Sequence, residues 1–380
     1  MRASDPLMKK ILLPLLVALL AFIGLDALVF RSGLYSRELS PSSIGGAGYY
    51  TQYFEKRRPA DSTHDVLMTG DSRMGEGFSS QLANGFPESG GYHFVQEGIP
   101  GSDLRVWYYL LKDLDPAANR YRAIVLSVSS FRHVLANESA PEDRILDADI
   151  LGPIIPASDF LDLANHYPTP SIRGQVWART AIAAANYRMD FQDFLLHPVE
   201  RISLVKWRRK VGSGYASDYT GHPESMEGLA MDPATHALTY PERLSPAERE
   251  AVERRFNVPP PGGSDEQDNY IAYWLARICE RYAHSGTTVV LVRMPASPLP
   301  AAFQEDRKPL ANFLTVVQGR PNVVVVPETT FLELESPGYF FDTNHLNALG
   351  RKTFTRQVVD TLPRLLPGAA SRQPNLVSQQ

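Results

Sequence analysis

Two short stretches of this chain bring together a hydroxyl, a carboxylate and an imidazole of the kinds that act on acyl groups. Gly70-Asp71-Ser72 closes the apolar run Asp65-Val-Leu-Met-Thr69 and leads into Arg73-Met-Gly75-Glu-Gly77. A serine at a strand-to-helix turn exposes its hydroxyl while nearby backbone N–H groups face a developing oxyanion. Asp342-Thr-Asn-His345 lies near the other end, after Phe340-Phe341 and before Leu346-Asn347-Ala-Leu-Gly350. A serine nucleophile needs a base, and the imidazole needs a carboxylate to fix its tautomer and stabilise its cation. Asp and His three apart at the entry of a helix face one cleft and hydrogen-bond each other. Alone, Gly-Asp-Ser is a common tight turn and Asp-x-x-His a common capped helix start. Together, in this order and in these strand contexts, they are far more specific.

The elements that must position these residues alternate. Strands are predicted at Asp65–Thr69, Tyr92–Gln96, Ala123–Val128, Thr287–Val292 and Val323–Val326. The second ends in Glu97-Gly98-Ile99-Pro100-Gly101, a glycine-bearing turn that brings another N–H toward Ser72. Ser102 to Asp113 has helical spacing, with Ser102 as N-cap. Ser264-Asp-Glu-Gln267 and Ser245-Pro246-Ala247-Glu248 read as capping boxes, and the former opens a helix reaching about His284. A last helix is expected from about Asn347 to Pro363. Near-continuous apolar strands alternating with helices imply an α/β fold, with a parallel sheet covered on both faces. Ligands then bind beyond the carboxyl ends of the strands, where both motifs fall. Residues 134–263 hold no strong strand and close in Pro259-Pro-Pro-Gly-Gly263. They read as a mainly helical insertion on the rim.

The 380 residues are 43% hydrophobic and 21% charged, the composition of a folded protein and not of a disordered one. Lys plus Arg is 38 against 42 for Asp plus Glu, a net charge of −4 that argues against a general nucleic-acid binder. The single cysteine, Cys279, excludes an intramolecular disulfide and any multi-cysteine metal site. No His-Glu-x-x-His or comparable ligand spacing occurs, so neither metal nor cofactor is expected.

The amino terminus sets the expected compartment. Residues 1–10 carry Arg2, Lys9 and Lys10, and an apolar segment fills 11–30, interrupted by Asp26 near its far end. That is long enough to span a bilayer, and basic residues before it favour a cytoplasmic N-terminus. The reading is a single-pass signal anchor at 11–30 with the remaining chain exported, in a bacterium to the periplasm. A cleaved secretion signal is the alternative. Residues 31–63, rich in Ser, Gly and Tyr, read as a tether with local structure, and 364–380 as a disordered tail.

Gly70-Asp71-Ser72 with Asp342-x-x-His345 resembles the SGNH (GDSL-like) hydrolase superfamily, over roughly 65–133 and 286–363. The resemblance implies a three-layer, flavodoxin-like domain at 64–363 with a five-stranded parallel sheet, interrupted by the insertion. It implies a catalytic triad of Ser72, His345 and Asp342, with Ser72 and Gly101 donating oxyanion-hole N–H groups. Where the superfamily places Gly-x-Asn-Asp after the third strand, this chain has Ser127-Val128-Ser129-Ser130, with Ser129 in place of the third oxyanion donor. Losing such a donor costs about 2.7–4 kcal/mol of transition-state stabilisation. That matters less to a transferase working from an activated acyl donor.

The anchor and the altered third block are similar to the membrane-tethered branch that O-acylates exported polysaccharides, as in alginate acetylation or teichoic-acid D-alanylation. That likeness implies an inner-membrane enzyme moving an acyl group, acetyl first, onto polysaccharide hydroxyls through a Ser72 acyl-enzyme. It implies a multispanning membrane O-acyltransferase as partner. An esterase with the same triad, or a binding or assembly protein of an acylation complex, are the alternatives. Arg293 after the fourth strand and Arg73 beside Ser72 are candidates for contacting an anionic substrate; Arg293 reads equally well as a rim salt bridge, and a solvent-facing cation is the alternative for Arg73. Arg132-His133 is a weaker candidate. Lys206 to Lys210, four cations in five residues, reads as a solvated stretch before a lipid- or glycan-binding one.

Overall fold

The computed structural model of the chain describes residues 6–128, 143–214, 216, 219–232, 234–235, 237–256, 265–299 and 314–366. Two compact units emerge, one from residues 1–50 and 145–213, the other from 51–144 and 214–380.

The second unit is α/β. Its strands are β1 (Asp65–Gly70), β2 (His93–Gly98), β3 (Ala123–Val128), a short antiparallel pair β4 (Ala230–Met231) and β5 (Leu238–Thr239), then β6 (Thr288–Arg293) and β7 (Val323–Val325). All but the short pair form one five-stranded, all-parallel sheet in the order β2-β1-β3-β6-β7. The order reverses between β1 and β3, which makes the carboxyl end of β1 the switch point where ligands of such sheets bind. β1, β3 and β6 are buried along their whole length, as the apolar runs at their centres require of strands covered on both faces.

The pleat assigns alternate residues to opposite layers. Val66, Met68, Val125, Val290 and Val292 share a core with Phe354, Val358 and Leu362 of the helix Ala348–Leu365, and with Met74 and Phe78 beside the Ser72 turn. Leu67, Ile124, Leu126, Val289 and Leu291, equally buried, point the other way. There the helix Leu104–Leu114 packs on the helix Asp265–Arg281. Burying each such side chain contributes about 1.5–3 kcal/mol.

Helix ends show which local signals won. Asp103, not Ser102, caps the helix after β2, accepting from the N–H groups of Arg105 and Val106. The Ser102 hydroxyl instead donates to Ile99 O at 2.7 Å and accepts from Trp107 Nε1 at 2.7 Å, fixing the turn that holds Gly101. Ser245 and Glu248 form the reciprocal box expected of them. Asn347 caps the last helix through Gly350 N–H at 2.9 Å. That helix runs past Pro363 to Leu365, because proline in a last turn gives up only one late hydrogen bond. Ser264 and the residues beyond Leu366 lie outside the described residues.

The first unit is helical. The apolar helix Pro6–Asp26 leads through a π-turn at Ala27–Arg31 into a set of helices between Leu146 and Val211. Among the described residues one helical stretch, Ile11–Arg31, is long and apolar enough to cross a membrane. Residues 31–63, expected as a tether, contain the helix Ile44–Arg57. Its glycines mark close packing: a Cβ on Gly46 would stand 1.8 Å from Ser40 O. The stretch 134–263 is divided. Residues 145–213 pack with the N-terminal residues, whereas Met226 and Leu229 enter the core of the sheet unit.

Candidate active site

Ser72 is the first residue of the helix Ser72–Gly77, two residues beyond β1. Asp71 caps that helix, its side chain accepting from Arg73 N–H at 2.9 Å. Six residues give a helix little stability of their own. Its far end is therefore held from outside. Gln96, buried in β2, directs its side-chain amide at the carbonyls of Met74, Gly75 and Phe78, at 3.1, 2.6 and 2.7 Å. The helix also crosses β2 at contact distance, and a Cβ on Gly98 would stand 2.5 Å from Gly75 Cα.

Asp342 and His345 sit at the tip of a tight loop. Phe340 and Leu346, both buried, pair across its base, and Phe341 N–H donates to His345 O at 2.8 Å. One Asp342 oxygen accepts the N–H groups of Asn344 and His345 at 2.8 and 2.7 Å. The same carboxylate faces His345 Nδ1 at 2.9–3.0 Å. His345 Nε2 then lies 2.8 Å from Ser72 Oγ. The three residues expected to act together are in hydrogen-bond contact in the order hydroxyl, imidazole, carboxylate.

The electrostatics are consistent with a base at His345. Burial pushes its imidazole toward the neutral form, but the hydrogen bond and charge of Asp342, with Glu76 and Asp71 nearby, outweigh this and raise its pKa above the ordinary 6.5. Burial pushes the Asp342 carboxyl up, yet His345 and the two backbone donors hold it below the usual carboxylate range. Asp71 is lowered too, its burial overcome chiefly by the Arg73 guanidinium.

The other expected site residues divide. Gly101, at φ +70°, lies in the turn after β2, its carbonyl taking a hydrogen bond from Arg144. Among the described residues the N–H groups of Ser72 and Gly101 donate to no acceptor, as an oxyanion site requires. Ser129 and Arg132-His133 lie outside the described residues. Arg73 folds back onto Asp71, with its Nε 2.9 Å from the carboxylate. Arg293 takes the salt-bridge reading of the two left open for it. It is 3% exposed, ion-paired with Glu335 at 2.5 Å and bonded to Glu328 O, so it braces the segment after β7 and presents no guanidinium to a substrate.

Sequence reasoning passed over three contributors. Gln96 is a polar residue in an otherwise buried strand, a signal that was visible. Glu76 follows Ser72 by one helical turn, and His222 Nε2 stands 3.5 Å from its carboxylate. The His222 ring stacks on Phe341, with centroids 3.6 Å apart. His222 comes from a distant segment, so no local pattern could have joined it to the site. No protein-family model matches this chain, and no curated protein matches it.

Proposed function

We propose that this chain is a membrane-anchored, extracytoplasmic serine acyltransferase of the SGNH type, moving an acyl group, acetyl first, onto hydroxyls of an exported polysaccharide. The observation that carries the chemistry is the 2.8 Å contact of Ser72 Oγ with His345 Nε2, with Nδ1 of the same ring on Asp342. In this reading His345 takes the Ser72 proton as Oγ attacks the acyl carbonyl, and the oxyanion lies against the N–H groups of Ser72 and Gly101. His345 returns the proton to the leaving group. It then deprotonates an acceptor hydroxyl, which attacks the ester on Ser72 and releases the enzyme. The span Ile11–Arg31 supports an anchored location, and a multispanning O-acyltransferase is the partner that would supply the acyl group.

The full-length chain and its Ser72→Ala variant are incubated with an aryl acetate, with and without candidate oligosaccharides, and both protein and sugars are weighed by mass spectrometry. An acetyl adduct on Ser72 that discharges onto sugar is the expected result. Turnover to free acetate with no sugar product assigns an esterase instead. An adduct or turnover that survives Ser72→Ala overturns the serine mechanism altogether.

A further inference from the structure

The apolar helix does not end in a loose linker. Asp26, 6% exposed, accepts the N–H groups of Ala183 and Ala184 at 3.3 and 2.7 Å, capping the helix Ala183–Asn186 from a distant part of the sequence. It pairs with Arg31 at 3.3 Å, and Arg31 in turn donates to Thr180 O at 2.8 Å and lies over the Phe160 ring. Phe30 packs edge-to-face on Tyr35 and Phe191.

The segments gripped in this way carry large apolar side chains on their outer sides. Leu161 adjoins Phe160, and Trp177 lies one turn before Thr180, both exposed. Met189 and Val199 are 72% and 77% exposed. Leu195, Leu196 and Arg188 line a groove of about 480 Å³ together with Phe30 itself. The helix Pro198–Val211 turns Arg201, Val205 and Arg208 inward. Its outer face reads Val199, Ile202, Ser203, Lys206, Lys210, flanked by Glu200 and Trp207, so that the apolar side chains stand near the groove and the cations away from it.

We propose that this face of the helical unit rests in the bilayer interface, with lipid as its occupant: acyl chains against Leu195, Leu196 and Val199, anionic headgroups at Lys206 and Lys210. The inference depends on reading Ile11–Arg31 as a membrane span. Continuity argues for lipid, because Phe30 belongs both to the span and to the groove, so a bilayer around the first reaches the second. The order of apolar then cationic side chains along one helix face matches the order of acyl chain and headgroup. An apolar patch of this kind facing water is otherwise a liability for a monomer.

The test uses the full-length chain in a Cys279→Ser background, with single cysteines at Leu20, Leu196 or Val199 carrying a fluorophore, in phosphatidylcholine–phosphatidylglycerol vesicles. Nitroxide on the lipid acyl chains is expected to quench all three positions at least about two-fold relative to nitroxide-free lipid. Quenching at 20 but not at 196 and 199 overturns this inference and leaves the span intact. Quenching at none of them removes the span reading and the inference with it. Self-quenching at 196 and 199 that grows with protein density, without lipid quenching, assigns the face to a second copy and also overturns the proposal.

Discussion

Replacing Asp342 with asparagine separates the two tasks its carboxylate performs. One oxygen holds the loop by accepting from Asn344 and His345 N–H, and an asparagine carbonyl can keep both bonds. Both oxygens face His345 Nδ1, at 3.0 and 2.9 Å, and in the substituted amide the nearer one becomes an NH2 group. Where that NH2 donates to Nδ1, the ring proton moves to Nε2, and Nε2 donates to Ser72 Oγ when it should accept from it. A tautomer error of this kind costs about 10⁴-fold in turnover, or roughly 5 kcal/mol of activation free energy. Stability should barely change. Asp342→Ala, by contrast, strips partners from two backbone N–H groups and should lose roughly 1–3 kcal/mol for each that stays dry. Acyl-enzyme formation from an aryl acetate, followed by stopped-flow absorbance beside thermal melts of both variants, reads these effects separately. If Asp342→Asn acylates within about ten-fold of the parent, Asp342 does not set the tautomer and the assigned roles are wrong.

Other perturbations follow from the same geometry. Acylation should rise with pH as His345 loses its proton, with a midpoint above 6.5. Glu76→Gln should move that midpoint down, because the Glu76 charge favours the imidazolium; a pH–rate profile that does not move excludes the coupling. Gly98→Ala should cost about 1–3 kcal/mol or more and abolish acylation, since its Cβ meets the backbone of Gly75, whereas at Gly77 the nearest atom is the flexible Met294 Cε at 3.2 Å and alanine should be tolerated; melting temperatures and acylation rates distinguish the two. Glu335→Ala should lower stability by about 3–5 kcal/mol by leaving Arg293 buried without its partner, measured by denaturant unfolding; an unchanged midpoint together with a raised KM would restore Arg293 as a substrate contact.

The sheet was readable because β1, β3 and β6 are buried on both sides and so carry apolar runs at their centres. Strand edges moved by one or two residues, as at β2, which starts at His93 and continues past Gln96 through the polar Glu97 to Gly98. The Ser72, Asp342 and His345 trio was readable for a different reason. Ser72 belongs to one short motif and Asp342 and His345 to another, and the parallel topology fixes where the two must meet. What escaped notice depends on distant partners. Composition alone cannot distinguish a tether from a helix whose glycines touch a carbonyl, as at Gly46 and Ser40. Nor does Asp26 announce its partners, which are backbone amides at 183 and 184. His222 reaches Glu76 only because Ala348 N–H binds its carbonyl at 2.6 Å and sets it beside the last helix.

The amide of Gln96 has an implication for how the proposed activity would be lost. Among the described residues β2 pairs with β1 alone and is a border strand, where local opening costs less than in the centre of a sheet. It nevertheless holds the carbonyls of Met74, Gly75 and Phe78 at the far end of the helix that opens at Ser72, and the turn at its end carries Gly101. Partial release of this one strand would let the six-residue helix melt while β3, β6 and the C-terminal helix stay folded. Inactivation in mild denaturant should therefore precede the cooperative transition, and hydrogen exchange at β2 should follow the loss of activity rather than the loss of the core.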